Sequence, residues 1–216
     1  MTGTTHPSFV SRGGEKLAAA LDYFNIPVEG LVCADLGSHV GGFVDCLLQR
    51  GASRVYSVDT CYGTLAWRLR RDPRVVVLER ANALHVCLAE PVGLITIDVA
   101  WTPQSRILAR ARELLAPQGQ VVTLIKPQYE ASDLVESGVL PDTAVSGVVQ
   151  GVLDRLDRLN WRVCATFESP IRGHGGNREV FAYLRAEPPV DRLESYRPVN
   201  STSTLDDFLG ERFPTK

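Results

Sequence analysis

Seven short apolar runs rich in β-branched residues, separated by stretches with helical spacing, constrain this chain more than any other feature. The runs are LVCADL, RVYSVD, RVVVLE, LITIDV, QVVTLIK, WRVCATFE and EVFAYL. They are continuous rather than alternating, the pattern of parallel strands buried on both faces. Helical patterns fit between them: GEKLAAALDYF ahead of the first, then GFVDCLLQRG, TLAWRLRRD, PQSRILARARELLAP and SGVVQGVLDRLDRLN. Strand and helix in alternation predict an α/β, Rossmann-like doubly wound fold with a seven-stranded, mostly parallel sheet. Only SPIRGHGGNR joins the last two strands, too short for a crossover helix, so the last strand is expected to run antiparallel.

A chain of 216 residues, 44% hydrophobic and 22% charged, buries a core of ordinary size in one domain, expected over residues 1–185. Residues 186–216, rich in Pro, Ser and Thr, read as a tail outside the sheet. Within it, Ser203 and Asp206 have capping-box spacing ahead of Phe208 and Leu209, which predicts a short docking helix. The formal net charge of -2 excludes a global basic field, so any RNA site must be local. The arginines at 50–80 and 106–112 read as solvated helix faces. Five cysteines, odd in number and without a C-x-x-C pair, read as reduced, buried thiols, and no metal site is expected. No apolar run approaches the roughly 18 residues that span a bilayer, and MTGTTHPSFV lacks a basic start followed by an apolar stretch, so a cytoplasmic protein is expected.

The turn after the first strand, CADLGSHVGGF, carries the first functional signal. Ligands of open α/β sheets bind outside the carboxyl ends of the strands, where the strand order reverses. Gly37 lets the chain bend there, and Gly41 and Gly42 are expected to let backbone approach a ligand and start a helix. A dinucleotide turn has G-x-G-x-x-G; here the spacing is G-x-x-x-G-G, with Asp35 just before the first glycine. That favours a ligand without a pyrophosphate, and S-adenosylmethionine fits. Asp59, ending the second strand, is placed for ribose hydroxyls, and Asn82, after the third, for the adenine edge. The candidate cofactor set is Asp35, Gly37, Ser38, Gly41, Gly42, Phe43, Asp59, Asn82 and Asp98.

The segments SRGGEKLAAALDYF, DLGSHVGGFVDCLLQRGASRVYSVD, YGTLAWRLRRDPRVVVLERAN, LIKPQYEA and SPIRGHGGNREVF resemble, in order over roughly residues 8 to 184, the FtsJ-like RNA ribose methyltransferases, and more closely the TlyA (hemolysin A) rRNA methyltransferase family. The resemblance implies 2′-O-methylation of RNA, with rRNA in a ribosomal subunit as partner, by a tetrad falling on Lys16, Asp98, Lys126 and Glu179. Lys126 is the candidate base for the ribose hydroxyl proton, and as a base it would have to be neutral. Burial and the Lys16 cation would lower its pKa, Asp98 and Glu179 would raise it, and sequence leaves the winner open. A non-catalytic module binding S-adenosylmethionine or RNA is the alternative. Departures from the family pattern are His39 and Val40 in the turn, DVAWTPQ after Asp98, and a methyltransferase region beginning near residue 8, which leaves the family's small N-terminal RNA-binding module without a counterpart.

Overall fold

Each apolar run forms a strand: β1 (Val32–Leu36), β2 (Arg54–Asp59), β3 (Val75–Glu79), β4 (Val92–Ile97), β5 (Leu115–Ile125), β6 (Trp161–Glu168) and β7 (Val180–Ala186). The computed structural model describes residues 9–187, so the helix expected near Ser203–Leu209 lies outside the described residues. The strands form one sheet in the order β3-β2-β1-β4-β5-β7-β6. Pairings among β1 to β5 are parallel, whereas β7 runs antiparallel to both β5 and β6.

Successive strand residues feed opposite faces, because side chains alternate across a strand. Cys33, Leu94, Val122, Leu124 and Phe181 pack on one side with Leu17, Ala20 and Leu21 of α1 (Arg12–Phe24) and Val44, Leu47 and Leu48 of α2 (Gly42–Gln49). Ala34, Leu36, Ile95, Ile97, Val121 and Ile125 pack on the other. There they meet Ile107, Leu108 and Ala111 of α4 (Gln104–Leu114) and Val149, Val152 and Leu156 of α6 (Asp142–Arg158). Both helix sets repeat apolar residues at three- and four-residue spacing, which turns one stripe of each helix to the sheet.

Three expectations change. TLAWRLRRD yields only the single turn α3 (Trp67–Arg70), because the Ala66 N–H donates to the Val40 carbonyl at 3.0 Å and is tied to the glycine turn. The helix read to Pro117 ends at Leu114, where β5 begins, and the next helix starts four residues before the serine that opened its pattern, at Asp142. Of the cysteines, Cys33 and Cys46 are buried, and burial pushes both thiols up to about 12. Cys61, Cys87 and Cys164 are exposed, two in loops and one on the edge strand β6, where apolar neighbours in sequence do not mean burial. All five are free thiols.

Candidate active site

β1 pairs with β2 on one side and β4 on the other, so their carboxyl ends open a crevice at the centre of the sheet. Gly37 leaves β1 with φ +95°, and a Cβ placed there would lie 2.5 Å from the Asp98 carbonyl oxygen. Only glycine lets the two strand exits approach this closely. Gly37→Ala is therefore expected to destabilise the protein by about 1–3 kcal/mol, seen as a lower thermal midpoint; an unchanged midpoint would show that the turn relaxes freely. Gly41 and Gly42 are also closely packed, and Gly42 lines the smaller of the two cavities at this turn. A Cβ on Gly41 would strike the Leu69 and Leu65 side chains, and one on Gly42 would strike Ser11 and the backbone of Gly14. The SRGGEKL segment thus lies directly against the GG pair.

Two cavities flank this turn and share Gly37, His39 and Asp98. The larger, about 430 Å³, has apolar walls from Val58, Ala83, Leu84 and Val99 and polar groups from Asp59 and Asn82. The smaller, about 220 Å³, is lined by Ser11, Arg12, Lys16, Asp35, Ser38 and Phe43 among others. Asp59 accepts the backbone N–H groups of His39 and Cys61, both at 2.7 Å, one on each oxygen. Each oxygen keeps a lone pair for a hydroxyl. The Asn82 side-chain oxygen accepts the Leu84 N–H at 2.9 Å, so its amide NH2 is the group left for a ligand. Ser38 is buried, its hydroxyl directed at the Asp35 and Val58 carbonyls. Phe43 packs on Phe181 behind the smaller cavity.

Asp35 is fully buried. Its Oδ1 accepts the Thr96 hydroxyl at 2.7 Å, while Oδ2 has no partner. Burial pushes its pKa up to about 8; the Thr96 bond and, more weakly, the Ser38 hydroxyl oppose this, and the charges of Asp98 and Asp59 add to it.

The four tetrad residues form two ion pairs. Lys16 Nζ lies 2.6 Å from Glu179 Oε2, with the glutamate 4% exposed, and Lys126 Nζ lies 2.6 Å from Asp98 Oδ1. Glu179 lines neither cavity; Gly173 of the loop before β7 sits where any Cβ would collide with its carboxylate. Asn177 anchors that loop by accepting the Leu140 N–H and donating to the Gly138 and His174 carbonyls. Lys126 precedes the single turn α5 (Pro127–Glu130). Burial pulls its pKa down, but the charge and hydrogen bond of Asp98, then Glu179 and Tyr129, outweigh burial, and the net shift is upward. Lys126 is therefore an ammonium at neutral pH.

Residues 9–186 match the model of the FtsJ-like methyltransferase family. The chain belongs to that family. It is 38% identical over 186 residues to the 16S/23S rRNA (cytidine-2′-O)-methyltransferase TlyA of Mycobacterium tuberculosis, covering 83% of this chain and 69% of that one. A protein from Streptococcus thermophilus described as a hemolysin superposes with a TM-score of 0.81 at 34% identity, covering 86% of this chain and 70% of the other. An S-adenosylmethionine-dependent methyltransferase from Mesorhizobium loti, 18% identical with a TM-score of 0.58 over 77% of this chain and 96% of its own, shares the fold. Among the described residues, no helix is long and apolar enough to cross a membrane. Within this FtsJ-like framework, sequence reasoning passed over Thr96, Ser11, Arg12 and Trp101. A threonine inside LITIDV carries no signal of its own, and Ser11 and Arg12 stood in a quoted segment whose contact with the turn only the fold supplies.

Proposed function

We propose that this chain is an S-adenosylmethionine-dependent RNA 2′-O-ribose methyltransferase acting on ribosomal RNA. The observation that carries the reading is the assembly of Lys16–Glu179 and Lys126–Asp98 beside the junction of the two cavities. The match to a 2′-O-methyltransferase over most of the chain favours this reading over a module that only binds. The residues fit the cofactor: the apolar walls with Asp59 and Asn82 suit an adenosine, and the mixed set of Asp35, Lys16 and Arg12 suits an amino-acid end. When bound, that cofactor supplies an electrophilic methyl group.

The protein's own task is to place a ribose hydroxyl, whose proton passes to solvent water as its oxygen attacks, and to stabilise the negative charge that this proton loss puts on the oxygen. The Lys126 ammonium donates to that oxygen, and Asp98 fixes the direction of the ammonium. Lys16, held by Glu179, adds positive potential from the α1 side. Glu179 acts through Lys16 and is a positioning residue.

Local features favour RNA over a small substrate. Trp101, 76% exposed with φ +60°, lies at the rim of the larger cavity against Tyr129, 4.5 Å between ring centroids, and offers a face on which a base can stack. Arg50, Arg54, Arg68, Arg70, Arg74 and Arg110 are held in ion pairs, as solvated faces would have them. Arg71 and Arg80, without carboxylate partners among the described residues, lie over the exposed rings of Trp67 and Tyr62. A 2′-O-methyl map of ribosomal RNA from cells with and without the gene tests the function; a site lost with the gene supports it, and identical maps contradict it.

Asp59→Ala is expected to weaken cofactor binding about 5- to 100-fold, because it removes an acceptor for ribose hydroxyls and frees two backbone N–H groups of the turn. Titration calorimetry on the folded variant checks this; unchanged affinity would remove Asp59 from the ribose site.

A further inference from the structure

Asp35 stands out as a fully buried carboxylate with no cation against it. One oxygen is held by Thr96, the other has no partner, and the residue lines the smaller cavity. The two site lysines are already taken, Lys16 by Glu179 and Lys126 by Asp98. Charges of its own sign face Asp35 from both neighbouring strands, Asp98 beyond β4 and Asp59 at the end of β2. Arg12 and Lys16 from α1, and His39 from the turn, line the same cavity. A buried anion with only the Thr96 and, more weakly, the Ser38 hydroxyl to support it and two like charges nearby is unfavourable, so without a cation beside it Asp35 is a neutral acid.

A cationic ligand reverses that balance, because a positive group at the free oxygen compensates the burial of a carboxylate. We infer that Asp35 receives the cationic end of S-adenosylmethionine by giving up its own proton, so that cofactor binding and proton release are one coupled event. The inference rests on the cofactor reading above. The Asp35 O–H bond breaks, the proton passes to solvent, and no covalent bond forms to the ligand. The pKa near 8 places the carboxyl in its protonated form below neutrality, which is where the release is largest.

The test is titration calorimetry of the intact protein with S-adenosylmethionine near pH 6.5, where the ligand's α-amino group is protonated, in buffers of different ionisation enthalpy. The observed heat is expected to vary with the buffer by the amount for release of about one proton, and affinity is expected to rise about tenfold per pH unit between about pH 6 and 7. 5′-Methylthioadenosine, which has neither sulfonium nor amino group, is expected to bind without buffer dependence. Asp35→Asn is expected to abolish the dependence and His39→Ser to retain it. If the asparagine variant does not fold, the comparison of the two ligands on the wild-type protein decides. Binding of S-adenosylmethionine with no buffer dependence would overturn the inference, as would a dependence that survives in Asp35→Asn or disappears in His39→Ser. Absence of binding altogether would instead remove the cofactor reading, and the inference with it.

Discussion

Lys126→Met is expected to lower single-turnover methyl transfer about 10²–10³-fold, the usual cost of removing one donor aimed at developing charge, while Lys126→Arg keeps a measurable fraction of wild-type activity. The two variants separate charge from basicity. A guanidinium keeps the positive charge but cannot be deprotonated in a protein. If Lys126 were the proton acceptor, both variants would be equally inactive. The ion pair with Asp98 and the proximity of Glu179 hold its pKa above the ordinary lysine range, so no gain in activity from its deprotonation is expected between about pH 7 and 9. The sign follows from the shift: a raised pKa preserves the ammonium, and the stability it contributes, until the pH passes the raised value. Cofactor affinity measured in parallel keeps lost binding from being read as lost chemistry.

Glu179→Ala is expected to cost about 3–5 kcal/mol of unfolding free energy, the range for removing one partner of a buried ion pair, and to abolish transfer as well. Lys16 is only 12% exposed at its side chain and would be left without its counter-charge. The double variant Lys16→Met with Glu179→Leu is expected to recover most of the stability, because apolar groups of similar volume replace a buried pair at little cost. It is not expected to recover transfer. Denaturant midpoints with single-turnover rates on the same preparations check both halves; full transfer in the double variant would remove this pair from the site.

The sheet was legible in the sequence because parallel strands covered on both sides must be apolar along their whole length, and all seven runs became strands. The antiparallel β7 was legible because ten loop residues leave no room for a crossover. The extent of α3 was not, since its spacing favours helix while one hydrogen bond from Ala66 to Val40 holds its first residues extended. Within the site, the carboxylates at 35 and 59 could be read from position alone, whereas Asp98 came only with the family resemblance. The close packing at Gly41 and Gly42 could not be read, because the atoms that exclude a Cβ belong to Leu69 and Ser11, remote in sequence. The protonation of Lys126 depends on two carboxylates that meet it only in the fold, and its pKa is a balance of opposed effects that residue types do not settle.

The most direct measurement incubates the purified protein with methyl-labelled S-adenosylmethionine and ribosomal RNA, as assembled subunits and as naked RNA, then digests the RNA to nucleosides and identifies the labelled one by mass spectrometry. The expected product is a nucleoside methylated on the ribose 2′-oxygen, formed by the wild-type protein and strongly reduced in Lys126→Met. A methyl group found on a base, or no transfer to either form of the RNA by a protein shown to bind the cofactor, would contradict the assignment of 2′-O-ribose methylation.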